Sequence, residues 1–291
     1  MTPSLLSVID FSSKTLNPKS TSWATTCNEV TRALEEHDLY NLPIEVKRLN
    51  CSDTPYHGYI GQLPLLPLYE SFGLQNPTTE EGVEKFTKLM WPSGNKTFSM
   101  SVLKLSKAVA ELEEIILGMI AKSYEIEEEY ESLHKSMVHV LRIQKYATPK
   151  GNDGSPIGMI PHTDKTFFTI LRERQIGGLQ IKTKDGDWIE VIPSPSSFIV
   201  MATDVFMAWT NGRIEGPCHR VIMKGDQERF SVGLFSFIKD LKIKTPQKLI
   251  DEEHPQLFKE FEHYKYMHYS HYQETVEGNK SECPIKSYCG I

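Results

Sequence analysis

FIVMATDVFMAWTNGRIEGPCHRVIMKGDQERFSVGLFSFI, residues 198–238, breaks into short runs of β-branched and aromatic residues. Phe198–Thr203, Val205–Thr210, Cys218–Lys224 and Phe230–Ile238 are the runs, and Asn211-Gly212 and Gly225-Asp226 are the breaks between them. Runs of this kind, bounded by Gly, Asn or Asp, read as strands joined by tight turns. The same texture extends upstream to residue 138 through Val138–Tyr146, Thr166–Leu171, Gly178–Thr183 and Asp187–Val191, punctuated by Gly177-Gly178, Asp185-Gly186 and Pro193–Pro195. Many short strands at regular spacing predict a closed sandwich or barrel, a jelly roll.

Upstream of residue 137 the period changes. Val102, Leu105, Val109, Leu112, Ile116 and Met119 recur at three- and four-residue steps, the spacing of a helix with one buried face. Ser99 or Ser101 is the expected cap, and Glu111, Glu113 and Glu114 are expected to face solvent. A shorter helix is predicted over Trp23 to Glu36, after the turn at Ser20–Ser22. After Pro246 the chain turns helical again, with Pro255 marking an irregular start. The expected plan is therefore a mainly β protein with flanking helices: an N-terminal helical region with short strands (1–137), a jelly-roll core (138–245) and a C-terminal helical tail (246–291), acting as one unit.

The bulk properties exclude several function classes. With 291 residues the chain can bury a large core. Its net charge of −6, without any Lys/Arg-rich run, argues against a nucleic-acid partner. No apolar stretch is long enough to cross a bilayer, and the start, MTPSLLSVIDFSSK, lacks the features of a secretory signal. The five cysteines are odd in number and scattered, which reads as reduced thiols in a cytoplasmic protein.

Chemistry enters at Pro161-His162-Thr163-Asp164. In extended chain, residues two apart point to the same side, so His162 and Asp164 can share a cation. His219 supplies a second imidazole from a later strand. Two histidines and a carboxylate on one face of an octahedral metal leave adjacent positions open, as a non-haem iron(II) oxygenase requires. The same trio also suits a zinc hydrolase, and an H-x-D pair alone reads as readily as a turn in which Asp164 caps amides. Ten residues past His219, Arg229 and Ser231 share a face. A guanidinium beside a hydroxyl is a clamp for a carboxylate, which hydrolysis does not need. His263, His268 and His271 could form a second metal site, but packing of a tyrosine-rich helix on the barrel is the stronger reading. Phe206, Trp91 and Trp209 read as core or pocket wall, and Cys218 as small core packing.

His162-x-Asp164, His219 and Arg229-x-Ser231 together resemble the plant iron(II)- and 2-oxoglutarate-dependent dioxygenase family. Gly177-Gly178-Leu179-Gln180, Asp187-Trp188, Asp204, Asn211-Gly212-Arg213, His219-Arg220-Val221 and the opening Val8-Ile9-Asp10-Phe11 extend the likeness over nearly the whole chain. Within the family, Lys88–Lys96 (KLMWPSGNK), Phe206–Asn211 and Asp251–Pro255 are similar to the branch holding the AOP enzymes, steroidal glycoalkaloid hydroxylases and deoxypodophyllotoxin synthase. The resemblance implies a double-stranded β-helix core, iron(II) on His162, Asp164 and His219, and 2-oxoglutarate held by Arg229, Ser231 and Tyr146. It further implies dioxygen as oxidant, ascorbate in a supporting role, and release of succinate and carbon dioxide as a small specialised metabolite is oxidised, with hydroxylation as the expected outcome. No membrane or nucleic-acid partner is expected, and the chain is expected to be a monomer.

The chain departs from the family at two places. Gln144 stands where the family often has Asn. The chain also jumps from Glu35-Glu36-His37 almost directly to Leu42-Pro43-Ile44-Glu45-Val46-Lys47, so a strand and most of a helix are missing. Loss of that strand is expected to expose a sheet edge, and it raises the alternative of a weak or inactive shortened homologue with a binding or regulatory role.

Overall fold

The computed structural model describes residues 39–149, 156–173, 176–192, 194, 197–275 and 283–291. The helix expected at Trp23–Glu36 and the opening strand at Val8–Phe11 lie outside the described residues.

Helix α1 (Ile44–Lys47) precedes strand β1 (Tyr69–Gln75), helices α2 (Glu80–Met90), α3 (Lys96–Ser123) and α4 (Glu127–His134), and strand β2 (Met137–Tyr146). Strands β3 (Ile157–His162), β4 (Phe168–Glu173), β5 (Leu179–Lys182), β6 (Trp188–Glu190) and β7 (Ile199–Ala202) follow. Next come helix α5 (Asp204–Trp209), β8 (His219–Ile222), β9 (Arg229–Ile238), a ribbon of β10 (Lys242–Ile243) with β11 (Phe261–Glu262), and helices α6 (His263–Thr275) and α7 (Pro284–Cys289).

The strands form a major sheet in the order β1-β2-β9-β4-β7 and a minor sheet in the order β3-β8-β5-β6. All named pairings are antiparallel. This is the double-stranded β-helix arrangement expected for a jelly roll.

Period-two alternation decides which side chain sees which layer. Leu141, Ile143 and Leu234 point outward into the large core, where they meet Phe86, Phe98, Val102, Leu105 and Phe206 from the helices. Each such buried side chain contributes roughly 1.5–3 kcal/mol relative to exposure. The alternate residues point between the sheets. There Tyr69, Tyr146 and Leu171 of the major sheet join Leu179, Val221 and Met223 of the minor-sheet side in a smaller core. Gly158 is needed at this contact, because a Cβ would come 2.8 Å from the Tyr146 ring.

Several expectations are corrected. Val205–Thr210 is not a strand: Asp204–Trp209 is helical, capped by Thr203, whose Oγ1 accepts from the Phe206 amide. All six residues are buried and those after Asp204 are apolar, so no polar–apolar period marks the segment as helical. The α3 cap is Asn95, not Ser99 or Ser101, and its side chain accepts from the Phe98 amide. Glu113 does not face solvent; it is buried, with Oε2 2.6 Å from Nε2 of His139 on β2. Strand β3 ends at His162, and Asp164 follows just beyond it, its Oδ1 3.8 Å from His162 Nε2.

Among the described residues the major sheet ends at β1, touched on its outer side by an isolated bridge between Ile60 and Ser71. Two backbone hydrogen bonds of 2.7 and 2.9 Å make that bridge. Asn50 covers a further stretch by exchanging side-chain hydrogen bonds with the Gly73 backbone. Loop residues thus partly blunt this edge among the described residues.

Candidate active site

His162 and His219 are a register pair of the β3–β8 ladder, and their ring centroids lie 4.2 Å apart. In each imidazole Nδ1 faces a carbonyl two residues back: Ile160 O at 2.8 Å and Pro217 O at 3.1 Å. Donation there leaves Nε2 of both rings as a lone pair. The two Nε2 atoms stand 3.8 and 3.7 Å from Asp164 Oδ1, too far for hydrogen bonds. The ligand atoms of the three residues all lie within 4.8 Å of one another. Burial, and then the neighbouring His219, push the His162 pKa down, which keeps the ring neutral, as a metal ligand must be.

The turn that carries Asp164 is tied from three sides. Thr169 Oγ1 on β4 donates to Asp164 Oδ2 at 2.8 Å. The Asp204 amide donates to the Asp164 carbonyl at 3.0 Å. The fully buried Asp204 carboxylate accepts from Thr163 Oγ1 (2.9 Å) and Tyr266 Oη (2.5 Å), with Lys165 Nζ 3.7 Å away. His263 binds the Lys165 carbonyl through Nε2 (2.9 Å) and accepts the Ile238 amide on Nδ1 (3.0 Å). Helix α6 therefore braces the turn. His263 has this packing role, and His268 and His271 join no metal-binding cluster among the described residues.

A second polar group lies at the other end of the inward face. The register places Tyr146 opposite Arg229, and both Gln144 and Glu173 opposite Ser231. Arg229 and Ser231 are buried. The Arg229 guanidinium lies over the Tyr146 ring at 4.8 Å, and Nη1 reaches Ser231 Oγ at 3.3 Å. Gln144, where the family that the chain resembles often has Asn, reaches the hydroxyl: Ser231 Oγ donates to Gln144 Oε1 at 2.9 Å. Gly177, at φ +77°, turns its carbonyl to Arg229 Nε at 3.0 Å. Gly178 must also lack a side chain, since a Cβ would stand 2.6 Å from the Ile222 carbonyl. The buried Tyr146 hydroxyl has its pKa raised, mainly by burial, and so stays protonated.

Sequence reasoning missed Glu173. Its carboxylate pairs with Arg229 Nη2, and both side chains are essentially inaccessible (0% and 1% exposed). Residues 56 apart meet here through strand pairing, and no local signal marks the contact. Phe206 and Trp209 are core residues. A cleft of about 680 Å³ lined by His57, His139, Asp240 and Tyr264 includes the Val138–Val140 end of β2, away from Gln144 and Tyr146.

Residues 138–238 match the family described as the 2OG-Fe(II) oxygenase superfamily. The chain is 37% identical to "Probable 2-oxoglutarate-dependent dioxygenase AOP1" of Arabidopsis thaliana, with 98% of this chain and 96% of that protein covered. The chain belongs to the 2-oxoglutarate- and iron(II)-dependent oxygenases. That alignment runs over 316 positions, more than the 291 residues present here, so the relative carries residues with no counterpart in this oxygenase. The AOP3 dioxygenase of the same plant is 25% identical, over 98% of this chain and 97% of that one. A rice dioxygenase for auxin oxidation superposes with a TM-score of 0.73 at 28% identity, covering 90% and 85% of the two chains. JOX2, solved in complex with 2OG, Fe and JA, shares the fold with a TM-score of 0.75 at 22% identity, covering 90% and 78%.

As a member of this family the oxygenase is an oxidoreductase that uses iron and 2-oxoglutarate. The donor set of His162, Asp164 and His219 fits a hard-to-borderline divalent cation such as iron(II), two neutral nitrogens and one oxygen. No helix among the described residues is long and apolar enough to cross a membrane.

Proposed function

We propose that this oxygenase hydroxylates a small specialised metabolite while 2-oxoglutarate is converted to succinate and carbon dioxide. His162, Asp164 and His219 would hold the iron, and Arg229, Ser231 and Tyr146 the far end of 2-oxoglutarate. The observation that carries this reading is the cross-strand pair His162 and His219 with Asp164 Oδ1 within 3.8 Å of both.

Iron(II), when bound, supplies the reactivity toward dioxygen; the protein supplies orientation. The carbonyls of Ile160 and Pro217 hold each imidazole in the tautomer that presents Nε2. Thr169 fixes the rotation of the Asp164 carboxylate. Tyr146 and Arg229, both buried, keep water from the anion end of the pocket. A small-molecule substrate is supported by the likeness to the dioxygenase for auxin oxidation. The net charge of −6 supports a protein without nucleic-acid partners, and in this reading the oxygenase works as a cytoplasmic monomer. The stretches 1–137, 138–245 and 246–291 act as one catalytic unit in this reading, supported by the pairing of β1 with β2 and the contacts of α6 with the Asp164 turn.

An anaerobic visible spectrum of the iron(II)-loaded protein tests it. Adding 2-oxoglutarate is expected to raise a weak charge-transfer band; its absence from folded, iron-loaded protein would sink the reading. The second reading, a shortened homologue that binds without turnover, draws on Arg229 being already paired with Glu173. It predicts iron uptake with no succinate formed on any substrate.

A further inference from the structure

Each nitrogen of the Arg229 guanidinium already has a partner from the protein. Nε donates to Gly177 O, Nη1 to Ser231 Oγ and Nη2 to Glu173 Oε2. Ser231 Oγ in turn donates to Gln144 Oε1, and Gln144 Nε2 donates to Tyr69 Oη at 3.1 Å. Three of the five guanidinium N–H donors are therefore engaged within the chain, and the one positive charge is balanced by a carboxylate of the same chain.

Glu173 is not a passing surface partner. It is the last residue of β4, in register with Ser231, and its side chain is wholly buried. Its second oxygen, Oε1, is buried and has no hydrogen-bond partner among the described residues. A carboxylate entering this pocket would share a single guanidinium with a second anion, away from water, where like charges repel most strongly. An uncharged amide meets no such repulsion. Its NH₂ group can donate to a carboxylate oxygen, and its carbonyl can accept from Arg229 or Ser231.

We propose that Glu173 is an internal competitor for the anion end of the co-substrate, so that 2-oxoglutarate binds only by displacing it from Arg229 or sharing Arg229 with it. Glu173 is then the specificity-determining residue of the oxo-acid pocket. It weakens the dicarboxylate relative to 2-oxo acids of the same length with an uncharged far end. This rests on the oxygenase reading above and deepens it.

The test measures dissociation constants by anaerobic calorimetry on iron(II)-loaded protein, with 2-oxoglutarate and with its amide, 2-oxoglutaramate, as the two probes. Wild type is expected to bind the amide at least as tightly as the dicarboxylate. Glu173→Gln is expected to tighten 2-oxoglutarate at least about tenfold while moving the amide less than about threefold, a selectivity change of one anionic contact. Glu173→Asp keeps the charge and is expected to keep the wild-type preference. Weaker or unchanged 2-oxoglutarate binding in Glu173→Gln would make Glu173 a brace for Arg229 and overturn the proposal. So would a wild type that prefers 2-oxoglutarate tenfold over the amide, a result that needs no variant to fold. Binding of neither oxo acid to wild type or Glu173→Gln, in folded protein shown to hold iron, would overturn the oxygenase reading itself and this proposal with it.

Discussion

His162 and His219 face one another across a single rung of the β3–β8 ladder, with Asp164 Oδ1 3.8 Å from one Nε2 and 3.7 Å from the other. Neither contact is a hydrogen bond, and both lone pairs are kept free by carbonyls behind the rings. His219→Ala is expected to lower iron(II) affinity by at least about 100-fold, more than loss of an outer-shell partner costs, and to abolish iron-dependent turnover. Iron titration followed by succinate assay reads both; unchanged succinate formation in the variant would remove His219 from the site.

Thr169 Oγ1 holds the oxygen of Asp164 that does not face the histidines. Thr169→Val keeps the shape and removes that donor. Iron affinity is expected to fall about 10–100-fold, while stability changes by only about 1 kcal/mol. Equal iron affinity in variant and wild type would leave Asp164 oriented by its turn alone.

Arg229 and Glu173 are both out of contact with water. Removing one partner of such a pair strands the other charge and costs about 3–5 kcal/mol, whereas replacing both by apolar groups is often neutral. Arg229→Met is expected to destabilise the fold by that amount, and Arg229→Met with Glu173→Met to recover most of it. Urea denaturation of the single and double variants makes the comparison. Additive losses would mean that the two residues are not coupled. Because Arg229 also faces Ser231, Arg229→Ala is expected to raise the 2-oxoglutarate requirement without changing iron affinity.

Burial pushes the His263 pKa down to about 4, against about 6.5 in an unfolded chain. The unfolded state therefore takes up a proton that the folded state refuses. Stability from the neutral ring is fully present above pH 6.5 and is lost progressively as pH falls towards 4, about 3 kcal/mol in all. Melting profiles from pH 7.5 to 4.5 should show wild type losing stability more steeply than His263→Phe, by up to one proton. Parallel profiles would show that His263 does not control the acid limb.

The β texture from residue 138 onward, and the residues proposed as metal ligands and as the Arg229-x-Ser231 clamp, are legible because they are local. Strand alternation, turn residues and two-residue spacing are written in neighbours along the chain. What depends on distant parts of the chain is not legible in this way. Val205–Trp209 is an unbroken apolar run that reads as a strand but forms most of a buried helix, and Glu113, in an acidic stretch of α3, is buried against His139. Burial there depends on what lies across the layer.

By itself, then, the sequence determined which chemistries were present: two imidazoles and a carboxylate for a cation, a guanidinium and a hydroxyl for an anion. Only the tertiary structure decided who meets whom. Pairing of β4 with β9 places Glu173 opposite Ser231 and within reach of Arg229, and docking of α6 places His263 and Tyr266 behind the Asp164 turn. Register between distant strands is set by the whole buried face at once, so a contact 56 residues long in sequence exists only after the sheet has closed.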